Sequence, residues 1–271
     1  MTSVQVVLLA VIQGMAELLP VSSSAHVIVA ETLMGLDPSS PRMTFLLVML
    51  HAGTTFAVIL YFWSRWKRRL TLENLKGLAI ATLATGVVGL VLKKLIEKVW
   101  LRGSGKEEIE ALFSNLPLMA FSLAAAGALI LWASREEAGG GPEVSSGQAA
   151  RIGLVQGLCL PFRGFSRSGA TISTALLSGV SRATAEDFSF ALAVILTPPV
   201  VAREALRLRR ASAVLDSAAF APGLLGMAVS FFAGLLALRW LSSWLESGRW
   251  RYFGYYCLAA AAGVLALARL G

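Results

Sequence analysis

The chain has 271 residues, 56% hydrophobic and 15% charged, with a formal net charge of +8 and a mean hydropathy of +0.70. A soluble domain carries roughly 25% charged residues, so the composition excludes an ordinary soluble fold and selects a polytopic α-helical membrane protein. The basic residues cap apolar runs, as in Arg65-Trp66-Lys67-Arg68-Arg69 and Arg207-Leu208-Arg209-Arg210, which fits anchoring to membrane lipids and excludes a nucleic-acid partner.

The apolar residues stand in continuous runs, not in the alternation of a membrane β-barrel. The first region, 4–36, lacks the basic start of a signal peptide and carries Gln13 and Glu17, so it is expected to be mature structure. It is broken at Pro20 and the serines that follow. Its two halves, of roughly 12–16 residues, are too short to cross ~30 Å of hydrocarbon. They are read as a re-entrant helix pair around a polar turn, since irregular backbone at membrane depth must be buried in protein or line a wet cavity. Spanning helices are predicted at about 43–63, 75–96 and 112–134. A polar, glycine-rich linker follows at 135–150. Residues 149–180 form a second broken region, interrupted at Pro161 and Gly164–Gly169. Three more spans are predicted at about 185–203, 217–240 and 252–269, with a kink or break in the first at Pro198-Pro199. Cys159 and Cys257 sit in apolar surroundings and read as packed side chains, not as a disulfide or metal cluster.

The two broken regions resemble each other. Ile12-Gln13-Gly14 matches Val155-Gln156-Gly157, and a shift of 143 positions places Ser23 on Ser166. The chain is therefore read as two repeats, about 1–134 and 151–271. Each holds one re-entrant pair and three spans. Three crossings start the second repeat on the opposite side of the membrane, so the repeats are inverted and their turns are expected to meet near the midplane, as in many transporters.

Each turn carries a polar constellation. In the first, Gln13 and Glu17 lie one helical turn apart, Pro20 ends their helix, Ser22 to Ser24 can cap the next, and His26 falls in its first turn. Ionisable groups at membrane depth are costly and usually functional. His51 has no such neighbours along the chain and reads as structural or interfacial. In the second, Arg163-Gly164-Phe165-Ser166-Arg167-Ser168-Gly169-Ala170-Thr171, a guanidinium stands at a helix start, which in physical terms is a phosphate site. A carboxylate, a hydroxyl, an imidazole and an anion clamp together suit phosphoryl transfer on a lipid-linked phosphate. A flippase or transporter of lipid phosphates built on the same anion site is the alternative.

At these residues the sequence resembles the undecaprenyl-pyrophosphate phosphatase family of the bacitracin-resistance type. The family pattern (E/Q)-x-x-x-E followed by L-P-V-S-S corresponds to Gln13–Glu17 and Leu19–Ser23, with the family's histidine at His26. The pattern P-G-x-S-R-S-x-x-T corresponds to Gly164–Thr171, and Ser181–Phe190 is similar too. The usual proline before Gly164 is Arg163 here, which would add a second cation facing phosphate. The resemblance implies hydrolysis of undecaprenyl pyrophosphate to undecaprenyl phosphate, recycling the lipid carrier for cell-wall synthesis. Bacitracin would compete by sequestering the substrate. It further implies a site open to the periplasmic or outer face of the bacterial inner membrane, a Mg²⁺ or Ca²⁺ ion held by Glu17 with Gln13, and a diphosphate clamped by Arg167 with Ser166, Ser168 and Thr171. A homodimer is compatible with it. Three routes of attack stay open: Ser23 with His26 as base, His26 itself, or a metal-bound water.

Overall fold

The computed structural model describes residues 1–37, 40–69, 71–100, 112, 115–136, 139, 143–210 and 219–270. Every regular element among them is a helix. In chain order these are α1 (Ser3–Leu18), α2 (Ser23–Leu33), α3 (Pro41–Arg68), α4 (Leu72–Leu95) with a π-helical end (Ile96–Trp100), α5 (Leu116–Ala133), α6 (Ser146–Cys159), α7 (Arg167–Leu177), α8 (Arg182–Arg210), α9 (Phe220–Glu246) and α10 (Arg251–Leu270). Two short helices followed by three long ones thus occur twice. The short ones have 16 and 11 residues in the first half and 14 and 11 in the second. Five described helices, Pro41–Arg68, Leu72–Val99, Leu116–Ala133, Phe220–Glu246 and Arg251–Arg269, are long and apolar enough to cross a membrane. The sixth predicted span falls in α8, which has 29 residues.

The expected break at Pro198-Pro199 is absent. Both prolines lie inside α8, which continues to Arg210. Proline's fixed φ is itself helical; what it removes is the hydrogen bond to the carbonyl four residues earlier. Intramembrane helices tolerate that loss. The Thr197 hydroxyl donates to the Ala193 carbonyl one turn back, at 2.8 Å. The side chains of Arg207, Arg209 and Arg210 lie outside the described residues, as does part of the 135–150 linker.

The chain divides into two compact units. The first holds Met1–Leu19, Ser23–Arg65 and Ala193–Leu241. Its core joins Val6, Leu9 and Ala10 of α1, Val27 and Ala30 of α2, and Met43, Leu46 and Leu50 of α3. Backbone-close packing brings α9 in. A Cβ on Gly14 would stand 2.7 Å from both the Ser230 carbonyl and the Ala233 Cβ, and one on Gly53 would strike the Met227 carbonyl. The buried Ser230 hydroxyl donates to the Leu50 carbonyl at 2.9 Å.

The second unit holds Pro20–Ser22, Trp66–Leu192 and Ser242–Gly271. Here α4 packs on α6 and α5 on α10. Gly153 rests on the Ala81 carbonyl, and a Cβ on Gly157 would lie 2.6 Å from the Val88 Cβ and 3.1 Å from the Thr85 carbonyl. The Thr85 hydroxyl donates to the carbonyls of Ala81 and Gly153, at 2.7 and 3.0 Å. Gly127 and Gly254 approach each other in the same manner. Small residues that let helix backbones meet are how lipid-embedded helices associate without a hydrophobic drive between them. Arg69 and Trp66, predicted as headgroup anchors, make contacts inside this unit. Arg69 Nη1 pairs with Asp187 Oδ2 at 2.8 Å, and the Trp66 indole donates to the Asp187 carbonyl at 3.2 Å.

Gly153→Leu is expected to drive α6 from α4 and to destabilise the protein by about 1–3 kcal/mol, the usual range for overpacking. Gly86→Ala, whose Cβ would meet nothing within 4 Å, is expected to be neutral or slightly stabilising. Thermal unfolding of the purified protein in detergent checks both.

Candidate functional site

The first constellation is organised around one carboxylate oxygen. Gln13 and Glu17 share a face of α1, and the Gln13 amide donates to Glu17 Oε2 at 3.2 Å. Burial leaves Gln13 only 1% exposed, so its side chain has little freedom to point elsewhere. Ser23 opens α2, and its hydroxyl donates to the same Oε2 at 2.6 Å. This length is in the range of charge-assisted O–H···O⁻ bonds, which are the strong ones. His51 of α3 places its Nε2 3.8 Å from that oxygen as well. Its Nδ1 lies 2.8 Å from the Leu47 carbonyl. A carbonyl only accepts, so Nδ1 carries the proton. The hydroxyls of Thr54 and Thr55 donate to the His51 carbonyl at 3.0 and 2.7 Å, fixing the backbone there. Ser24 and His26 lie half-buried in the first turn of α2.

His51 therefore has a polar neighbour in Glu17. Nothing in its sequence neighbourhood signals this, because only the packing of α3 on α1 brings it to Glu17. Among the described residues no group of three or more His, Cys, Asp and Glu comes together. The groups that hydrogen-bond Glu17 Oε2 are the Gln13 amide N–H and the Ser23 hydroxyl.

The second constellation is built by a tight turn and a helix start. Gly164 has φ +100°, open to glycine but not to other residues without strain, and a Cβ there would strike the Met119 carbonyl of α5. The Phe165 N–H donates to the Phe162 carbonyl at 3.1 Å and closes the turn. Ser166 caps α7, accepting the Gly169 N–H at 3.2 Å. Arg167 is the first residue of α7 and is half-buried. It stands where the helix dipole adds to its own positive charge. Arg163 is half-buried in the turn, and Ser168 is buried.

Thr171 is wholly buried. Its hydroxyl bonds the Arg167 carbonyl at 2.9 Å and the Ser189 hydroxyl of α8 at 2.6 Å. Two residues further on, Ser173 accepts the Trp250 indole N–H at 3.2 Å. Side-chain hydroxyls thus fasten α7 on two sides. Ser189 lies in the stretch whose resemblance to the family the sequence displayed, although its partner was not legible there. The cysteines behave as expected: both are free, and Cys257 is buried with its thiol on the Pro20 carbonyl at 3.2 Å.

The family model described as bacitracin resistance protein BacA matches residues 6–263. The chain is 56% identical to undecaprenyl-diphosphatase 2 of Acinetobacter baylyi, covering 99% of each protein. It is 35% identical to undecaprenyl-diphosphatase of Desulfatibacillum aliphaticivorans, covering 96% of this chain and 97% of that one. With undecaprenyl-diphosphatase 2 of Burkholderia orbicola the identity is 34%, over 94% and 92% respectively.

Thr171→Val and Ser189→Ala are each expected to lower stability by roughly 1 kcal/mol, the net worth of one hydrogen bond. The double variant should lose less than the sum, because each single change removes the same bond. Full additivity in unfolding measurements would contradict the pairing.

Proposed function

This chain belongs to the bacitracin resistance protein BacA family, and from that premise we propose that it hydrolyses undecaprenyl pyrophosphate to undecaprenyl phosphate and inorganic phosphate. It is a multi-pass membrane protein, by its five long apolar helices and its family. The observation that carries the reading is the Ser23 hydroxyl held on Glu17 at 2.6 Å, within the family's own motif. The names of the relatives, at up to 56% identity across the full chain, support the same chemistry.

In this reading Ser23 Oγ attacks the terminal phosphorus. The bond from that phosphorus to the bridging oxygen breaks, and undecaprenyl phosphate leaves with the bridging oxygen. The serine proton passes to His26, one turn along α2. Water then hydrolyses the phosphoserine, releasing inorganic phosphate and restoring the hydroxyl. Arg167 and the start of α7 neutralise the diphosphate, with Ser166, Ser168 and Arg163 beside them. Thr171 acts from behind, holding α7 through Ser189. Glu17, with Gln13, would hold a Mg²⁺ or Ca²⁺ ion, which when bound supplies charge neutralisation to the phosphates. The Glu17 carboxylate and the Ser23 hydroxyl oxygen beside it are donors such ions take, and the Gln13 amide, whose nitrogen now faces Glu17, would turn its oxygen to the ion.

The proposal extends to inverted topology of the two repeats, supported by the recurrence of helix lengths and of the Gln-Gly step at Gln13-Gly14 and Gln156-Gly157. It also places the reaction at the outer face of the bacterial inner membrane, where it would return the lipid carrier to cell-wall synthesis and confer bacitracin resistance.

Phosphate release from purified undecaprenyl pyrophosphate in detergent tests the reading. Glu17→Ala, Arg167→Ala and Ser23→Ala are each expected to lose at least ~10²-fold in rate while inserting normally, the scale of removing one catalytic group. Chelation should abolish release, and Mg²⁺ or Ca²⁺ should restore it. Near-normal release by Glu17→Ala or Arg167→Ala would sink the assignment, and a mild Ser23→Ala effect would transfer the attack to water. Arg163→Pro should raise KM. A lipid-phosphate carrier would instead translocate head groups and release no phosphate.

A further inference from the structure

The geometry around Glu17 points to His51 as a ligand of the divalent cation: we infer that Nε2 of His51 and the Glu17 carboxylate bind the same ion. This rests on the proposed phosphatase reading and adds to it a nitrogen ligand from α3, outside both sequence motifs.

The argument begins with the tautomer. His51 Nδ1 donates to the Leu47 carbonyl at 2.8 Å, so in the neutral ring the lone pair is on Nε2. That nitrogen faces Glu17 Oε2 at 3.8 Å. Ser23 and Gln13 both donate to this same oxygen, so it is the acceptor of the cluster. A lone pair and a carboxylate oxygen facing each other repel unless a proton or a metal ion stands between them. Metal–nitrogen and metal–oxygen bonds are ~2.0–2.2 Å long, so two of them span up to ~4.4 Å, and a gap of 3.8 Å admits an ion bonded to both.

The second nitrogen supplies an independent sign. A metal-binding histidine usually donates its other ring N–H to a carbonyl or carboxylate, which fixes the ring and raises its basicity. His51 does so through Leu47, and the hydroxyls of Thr54 and Thr55 hold its own backbone. Glu17 is 18% exposed and His51 38% exposed in their side chains, so an ion has a way in. Few protein ligands are present, which suits an ion that completes its shell with water and substrate phosphate oxygens. An imidazole ligand shifts the preference toward first-row transition metals, so Mn²⁺ is expected to bind more tightly than Ca²⁺.

Pulsed EPR of the full-length protein in detergent, loaded with Mn²⁺, reads the bond directly. Wild type should show a directly bound imidazole ¹⁴N. His26→Gln should retain that coupling, and His51→Gln should lose it while its Mn²⁺ Kd rises about 10-fold or more. The chain contains two histidines. If His51→Gln fails to fold, ¹⁵N-histidine labelling of His26→Gln decides the question, because replacement of the ¹⁴N signal by ¹⁵N then assigns it to His51. No nitrogen coupling in wild type, its survival in His51→Gln or its loss in His26→Gln would overturn the inference. Nitrogen-coordinated Mn²⁺ in a protein that releases no phosphate would instead overturn the proposed function and leave the ligand standing. Phosphate release with no nitrogen coupling would do the reverse.

Discussion

Helices of 11 to 16 residues cannot cross a bilayer, and that single shortfall governs the arrangement of the chain. A helix that stops short presents terminal N–H and C=O groups at a depth where water is scarce. It must be sheathed by longer helices, closely enough that its polar end is served by protein. Glycine makes the sheathing close. Gly14 seats α1 against the backbone of α9, and Gly157 seats α6 against that of α4. Each of the two glycines follows a glutamine, at Gln13-Gly14 and Gln156-Gly157. In both cases the residue whose carbonyl receives them, Ser230 or Thr85, carries a hydroxyl that donates to a backbone carbonyl.

Once the short helices are held, their ends become chemically useful. The end of α1 delivers a carboxylate, the start of α2 a hydroxyl, and the start of α7 a guanidinium beside the positive pole of a helix. None of these groups is exotic. In the proposed hydrolysis their usefulness would come from being fixed before substrate arrives, which is where electrostatic catalysis gains most. Gln13 and the Thr171–Ser189 pair serve that end by restricting motion.

Much of this was legible in the sequence, and the failures have physical reasons. Pro20 and Pro161, each followed by serines or glycines, announce the short helix pairs because no continuous helix accommodates such runs. Pro198-Pro199 carries the same residue type without breaking its helix, since a proline inside a helix removes a hydrogen bond and leaves the neighbouring turns to carry the ladder on. Arg69 and Trp66 have the composition of a lipid-facing helix end, yet Asp187, a buried acid far along the chain, draws them inward. His51 escapes for a different cause. A motif records residues that share a helix or a turn, and His51 belongs to the Glu17 cluster only through tertiary packing.

Ser22 has φ 67°, alone among the described non-glycine residues in adopting a left-handed backbone. Such a conformation costs about 1 kcal/mol or more for a residue with a Cβ, and glycine would adopt it freely. Folding alone would drift this position toward glycine over time. The serine at the tightest point of the turn holds a hydroxyl there at a standing cost in backbone strain, so relieving the strain and keeping the hydroxyl are mutually exclusive.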